Sequence, residues 1–86
     1  MDIYNDVKEH VRAKIKLGNE DDVRDFIIVL CDGTMNRYMV ENRDCSERVN
    51  ARSLLGMLYA SSSFDETYLV NITDDGNFPS GIDKWR

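Results

Sequence analysis

The residues best suited to chemistry are few and lie far apart in the chain. His10 is the single histidine, Cys31 and Cys45 are the two cysteines, and carboxylates cluster at residues 20–22 and 74–75. The cysteines form no CxxC pair, and His10 is not spaced to join them in a zinc site. Residues 74–77 lack the ligand spacing of a calcium loop, so we interpret them as a turn. We therefore predict no catalytic residue, metal or cofactor, and no enzyme activity.

Ser53 is the residue whose position most invites modification. It precedes a short apolar segment, Leu54-Leu55-Gly56-Met57-Leu58. A serine there can cap a helix by accepting a hydrogen bond from a backbone N–H of the first turn. A phosphate on the same oxygen would lie at a helix N-terminus, which is electrostatically favourable. Both interpretations, a structural cap and a phosphorylation site, stay open.

Composition excludes several classes of function. The chain has 86 residues, 42% hydrophobic and 31% charged, with a net charge of −5. These values fit one small domain with one core. The negative net charge argues against binding to nucleic acid or to anionic membrane surfaces, since binding to either needs clustered Lys and Arg. No apolar run approaches a membrane span, and the N-terminus does not have the pattern of a secretory signal. With two unpaired cysteines, we expect a reduced cytoplasmic setting.

The first half of the chain predicts a strand followed by a helix. Residues 11–17 alternate apolar with basic side chains, the period of a half-buried strand whose Val11, Ala13, Ile15 and Leu17 face inward. Asn19 is a good N-cap for a helix that continues at helical spacing and stops near residues 32–33.

The second half predicts two strands, a helix and a last strand. The strands cover residues 36–41 and 47–51, the helix follows Ser53, and the fourth strand covers residues 67–73 with Tyr68, Val70 and Ile72 inward. The order β-α-β-β-α-β predicts an α+β fold, a four-stranded antiparallel sheet with helices on one face.

We expect one domain over residues 1–86. Its core spans about residues 11–73, preceded by an extension at residues 1–10. Residues 74–86 form an irregular C-terminal tail that docks through Phe78, Ile82 and Trp85.

One ten-residue segment resembles a known family. Residues 49–58, VNARSLLGML, are similar to the segment around the regulatory serine of HPr, the phosphocarrier of the bacterial-type sugar phosphotransferase system. Residues 66–70 fall where that family has its fourth strand, and the order of elements also matches, so the resemblance covers about residues 13–73. It implies an HPr-like open-faced β-sandwich.

The chain departs from the family at its active site. HPr proteins carry the phosphoryl group on a histidine in a G-[LI]-H-A-R-P-A motif at the start of the first helix. If Gly18 is the motif's glycine, Glu20 stands in the histidine's place, and the motif's proline is missing. Carboxylates there would repel a phosphoryl group, and His10 lies before the first strand. The family's third helix is replaced by the short tail. Histidine phosphotransfer is therefore not expected.

The resemblance implies a non-catalytic regulatory or protein-binding module. In that family the regulatory serine is phosphorylated by an ATP-dependent HPr kinase, and Ser53 is its match here. The neighbouring helix would dock a protein partner, with Arg52, Leu54, Leu55 and Met57 as candidate contacts, although the default role of such apolar residues is core packing. The alternatives are a phosphoacceptor modified at Ser53 and an accessory protein that reuses the fold.

Overall fold

The computed structural model describes residues 11–32 and 35–86. In chain order, the elements are β1 (Arg12–Ile15), α1 (Glu20–Cys31), β2 (Tyr38–Glu41), β3 (Arg48–Asn50), α2 (Leu54–Ser63), β4 (Thr67–Asn71) and a 3₁₀ helix (Ser80–Trp85). The strands form one antiparallel sheet in the order β1-β4-β2-β3. This is the α+β open-faced sandwich that we expected. The extension at residues 1–10 and the predicted helix stop at Gly33 lie outside the described residues.

The core lies between one face of the sheet and the two helices. Ala13, Leu69, Val40 and Val49 form a continuous row across all four strands on that face. The helices contribute the buried side chains Val23, Phe26, Leu30, Met57 and Ala60. The other side of the sheet, which we call the open sheet face, carries Arg12, Lys14, Met39, Glu41, Arg48, Asn50, Tyr68 and Val70.

The predicted inner face of β4 is wrong. Leu69 is opposite Ala13 and Val40 and belongs to the core, whereas Tyr68 and Val70 lie on the open sheet face. Leu69 and Val70 are both fully buried. An interior strand that is apolar on both sides carries no clean alternation, so its register depends on pairing with its neighbours.

The C-terminal tail completes the core. The predicted docking is confirmed, because Ile82 is fully buried, Trp85 is 5% exposed and Phe78 packs against the core. The tail is more regular than expected, since residues 80–85 form the 3₁₀ helix. The indole ring of Trp85 meets the ring of Phe26 edge to face at 5.4 Å between centroids. The N–H of Lys16 donates to the carbonyl of Trp85 at 2.7 Å, which joins the tail to the end of β1.

Candidate protein-binding surface around Ser53

Ser53 caps α2, as the sequence predicts. Its Oγ accepts a hydrogen bond from the N–H of Gly56 at 3.2 Å, and its carbonyl accepts one from Met57 at 2.8 Å. The backbone at Ser53 is extended, with φ −91° and ψ 119°, as an N-cap requires. The side chain is half-buried. Its hydroxyl therefore lies at the N-terminus of a ten-residue helix, where phosphorylation stays a prediction.

Gly56 allows α2 to lie close to β3. A Cβ at this position would lie 3.3 Å from the Cβ of Val49 and 3.4 Å from the Oγ of Ser53. Contacts that close are tighter than ordinary packing distances. The glycine in the first turn is therefore explained by close packing within the domain.

Arg52 links the two helices. Its Nε and Nη2 donate to the carbonyl of Leu30, at 3.1 and 2.8 Å, in the last turn of α1. Its guanidinium also lies 5.3 Å from the ring centroid of Tyr38. The last turn of α1 contains no basic residue of its own. Arg52 therefore supplies the positive charge and the donors that the free carbonyls at a helix C-terminus require.

The three apolar residues of α2 predicted to contact a partner differ in how exposed they are. Met57 is fully buried in the core, so the expectation that it contacts a partner is wrong. Leu54 is partly buried and packs against the core, whereas Leu55 is 82% exposed. Met57 and Ala60 lie three residues apart on the same side of α2, and both are fully buried because this side packs against the core.

Tyr59 joins Leu55 on the exposed side of the helix, and sequence reasoning missed it. It lies four residues after Leu55, so the two side chains are neighbours on one face, and it is 47% exposed. Its hydroxyl donates to Oε1 of Glu47 at 2.6 Å, and this hydrogen bond raises the pKa of Tyr59. The spacing was visible in the sequence, but the partner on β3's flank was not. We call Ser53, Leu55 and Tyr59 the α2 outer surface.

The start of α1 is closed by its own hydrogen bonds. Asn19 caps the helix by accepting from the N–H of Asp22 at 2.9 Å, and Asp22 accepts from the N–H of Gly18 at 2.8 Å. The Glu20 carboxylate pairs with Arg24 at 2.7 Å. Within the described residues, no group of His, Cys, Asp and Glu is arranged to hold a metal ion. At this helix start, the carboxylates serve capping and pairing.

A buried carboxylate organises the open sheet face. Glu41 is 2% exposed, and its oxygens lie 2.8 Å from Nη2 of Arg48 and 3.2 Å from Nε of Arg12. The thiol of Cys45 donates to Oε1 of Glu41 at 3.4 Å; burial, and then this bond, raise the pKa of Cys45. Arg12 also stacks 3.8 Å from the ring centroid of Tyr68. No local sequence pattern predicts this cluster, because its members come from all four strands and from the turn between β2 and β3.

In the part of the chain that the structure describes, no helix has the length and apolar character of a membrane span. The chain matches no family model, no curated protein and no solved structure.

Proposed function

We propose that this protein is a non-catalytic regulatory or protein-binding module related to the sugar phosphotransferase system, working without histidine phosphotransfer. Three observations support the proposal: the resemblance of residues 49–58 to the regulatory segment of HPr, the open-faced fold, and Glu20 at the position of the family's histidine. A cytoplasmic location fits this role, because Cys31 and Cys45 are both free thiols.

The α2 outer surface carries the proposal. Leu55 exposes 82% of its surface on a helix whose other aliphatic residues pack wholly or partly against the core, and the exposed Tyr59 lies beside it one turn later. Tyrosine is enriched at protein contact sites, and the exposed leucine beside it extends the apolar area that a partner could cover. Arg52 contributes indirectly, because its bonds to Leu30 fix the start of α2 against α1.

Modification of Ser53 is the second candidate function. Its Oγ already accepts a hydrogen bond from the N–H of Gly56. Phosphate oxygens at this position could accept from the backbone donors of the first turn, with the helix dipole favouring their negative charge. The added charge would lie at the edge of the α2 outer surface, where it could change affinity for a partner.

Intact-mass measurement tests the modification after incubation with ATP and an HPr kinase, and in parallel with phosphoenolpyruvate and enzyme I. The matched variant is Ser53→Asn, which keeps a good N-cap but removes the phosphoacceptor; Ser53→Ala would remove both. One added phosphate that is lost in Ser53→Asn supports regulation at Ser53. Phosphate gained from phosphoenolpyruvate would contradict a module without phosphotransfer.

Binding to the same HPr kinase, followed by NMR of the ¹⁵N-labelled protein, tests the contact surface. We expect Leu55→Gln to weaken binding by about tenfold, because an exposed apolar anchor is worth about 1–2 kcal/mol. The control is Ile28→Gln, which removes a similarly exposed (65%) apolar side chain from α1. If the two variants bind equally, the α2 outer surface is not the contact site.

A further inference from the structure

Charge is divided unequally between the two sides of the molecule. Among the described strand residues, the open sheet face carries Arg12, Lys14 and Arg48 and a single carboxylate, Glu41, and Glu66 adds a second carboxylate just before β4. On the helix side, α1 alone carries Glu20, Asp21, Asp22 and Asp25 against one arginine, Arg24. A protein of net charge −5 thus keeps a basic face, which is the arrangement that orients an anionic partner.

The carboxylate on this face does not cancel its charge toward solvent. Glu41 is buried between Arg12 and Arg48, with 3% of its side chain exposed against 43% for Arg48. Lys14 is 61% exposed, and its pair with Glu66, at 3.3 Å, is a surface ion pair of the weak kind. The positively charged groups of Lys14 and Arg48 are therefore exposed to solvent, whereas the Glu41 carboxylate is not. Glu41 holds Arg12 and Arg48 in fixed positions.

A further cation extends the face toward β3. Arg37 is exposed and immediately precedes β2, so strand alternation puts it on the side of Met39. It lines a cavity of about 240 Å³ together with Met39 and Asn50. The cavity offers a guanidinium, an amide and a thioether at one place.

We propose that the open sheet face binds an acidic segment of a partner protein, with Lys14, Arg37 and Arg48 receiving its carboxylates. Guanidinium groups pair well with carboxylates, and the position of the Arg48 guanidinium is set before binding by its pair with Glu41. The half-buried Tyr68 and Met39 between the cations favour a polypeptide over nucleic acid. This site lies across the sheet from the α2 outer surface and goes beyond the function proposed above.

An eight-residue oligoglutamate peptide, titrated into the ¹⁵N-labelled protein at about 20 mM salt, tests the proposal. We expect amide shifts confined to the strands, at Lys14, Tyr68, Arg48 and the start of β2, with affinity falling as salt is raised. The variant Lys14→Gln/Arg37→Gln should bind about tenfold more weakly, since it removes two of the three receiving charges.

The control is Arg24→Gln/Arg86→Gln, which changes the net charge equally at exposed positions outside the face and should alter affinity by less than about twofold. Equal loss in both double variants, or shifts spread over α1, would overturn the proposal. Tighter binding of an oligothymidylate of the same charge would also overturn the proposal. So would self-association of the protein through this face in the absence of peptide. Binding of HPr kinase is not part of this test, so either proposal can fail alone.

Discussion

Arg52 illustrates how one side chain can be important for a reason other than the expected one. The sequence marks it as a candidate partner contact beside Ser53. In the structure, two of its nitrogens donate to the carbonyl of Leu30, 22 residues earlier in the chain. A sequence pattern cannot show this role, because the need arises at the end of α1 and the donor comes from the start of α2.

Glu66 provides a pH test at the residue scale. The hydroxyl of Tyr68, and then the ammonium of Lys14, donate to its carboxylate and hold the pKa of Glu66 below its ordinary value of 4.5. A lowered pKa means that the folded state favours the charged form. Its contribution to stability is therefore fully present above pH 4.5 and is lost as the pH falls through the folded-state pKa.

We expect Tyr68→Phe to raise the pKa of Glu66 toward 4.5, and to raise it more than Lys14→Gln does, because the hydroxyl is the larger cause. Carbon-detected NMR titration of the side-chain carboxyl measures both variants. An unchanged pKa in Tyr68→Phe would show that the hydrogen bond does not form in solution.

At the scale of elements, the sequence predicts the order of helices and strands and the helix N-caps better than it predicts where a strand ends or which of its sides faces the core. The sequence predicts Asn19 and Ser53 as N-caps because the signal for a cap is local, and both are confirmed. The observed β1, at residues 12–15, is shorter than the predicted 11–17, and Val11 is 53% exposed. The facing of β4 and the burial of Met57 depend on which neighbours pack against them, and local periodicity does not contain that information.

Gly81 sets how closely the 3₁₀ helix approaches α1. A Cβ at this position would lie 2.9 Å from Cγ1 of Val29, and a β-branched side chain has little freedom to move away. We expect Gly81→Ala to lower the free energy of unfolding by about 1–3 kcal/mol, the usual cost of overpacking. Urea denaturation measures the change.

The companion variant for this contact is Val29→Ala, which removes the atom that the new methyl group would meet. In a double-mutant cycle, Gly81→Ala should cost about 1 kcal/mol less in the Val29→Ala background than alone. Purely additive costs would mean that the loss at position 81 has another origin.

At the scale of the whole molecule, the tail matters as much as a helix. Residues 80–85 bury Ile82 and Trp85 in the core, beside α1 and the end of β1. A domain of this size has few buried side chains to spare, because small domains bury a smaller share of their surface.

We expect Trp85→Ala to destabilise the protein by about 3–5 kcal/mol, a large part of the stability of a small domain. Lys84→Ala, which removes an exposed side chain whose ammonium lies 4.6 Å from the Trp85 ring centroid, should cost no more than about 1 kcal/mol. Thermal unfolding of both variants measures the difference. If proteolysis removed the tail without lowering the melting temperature, its contribution to the core would be disproved.

The position of β4 inside the sheet has a consequence for how the chain folds. β2 and β3 are joined by a short turn and can pair at once. β1 joins the sheet only by pairing with β4, and its residues are 52 to 58 positions away in the chain from their partners on β4. Closing so long a loop costs entropy before the contacts repay it. We expect the rate of folding to be governed by the insertion of β4 between β1 and a preformed β2–β3 hairpin, so that substitutions at Leu69 slow folding more than substitutions at Val49.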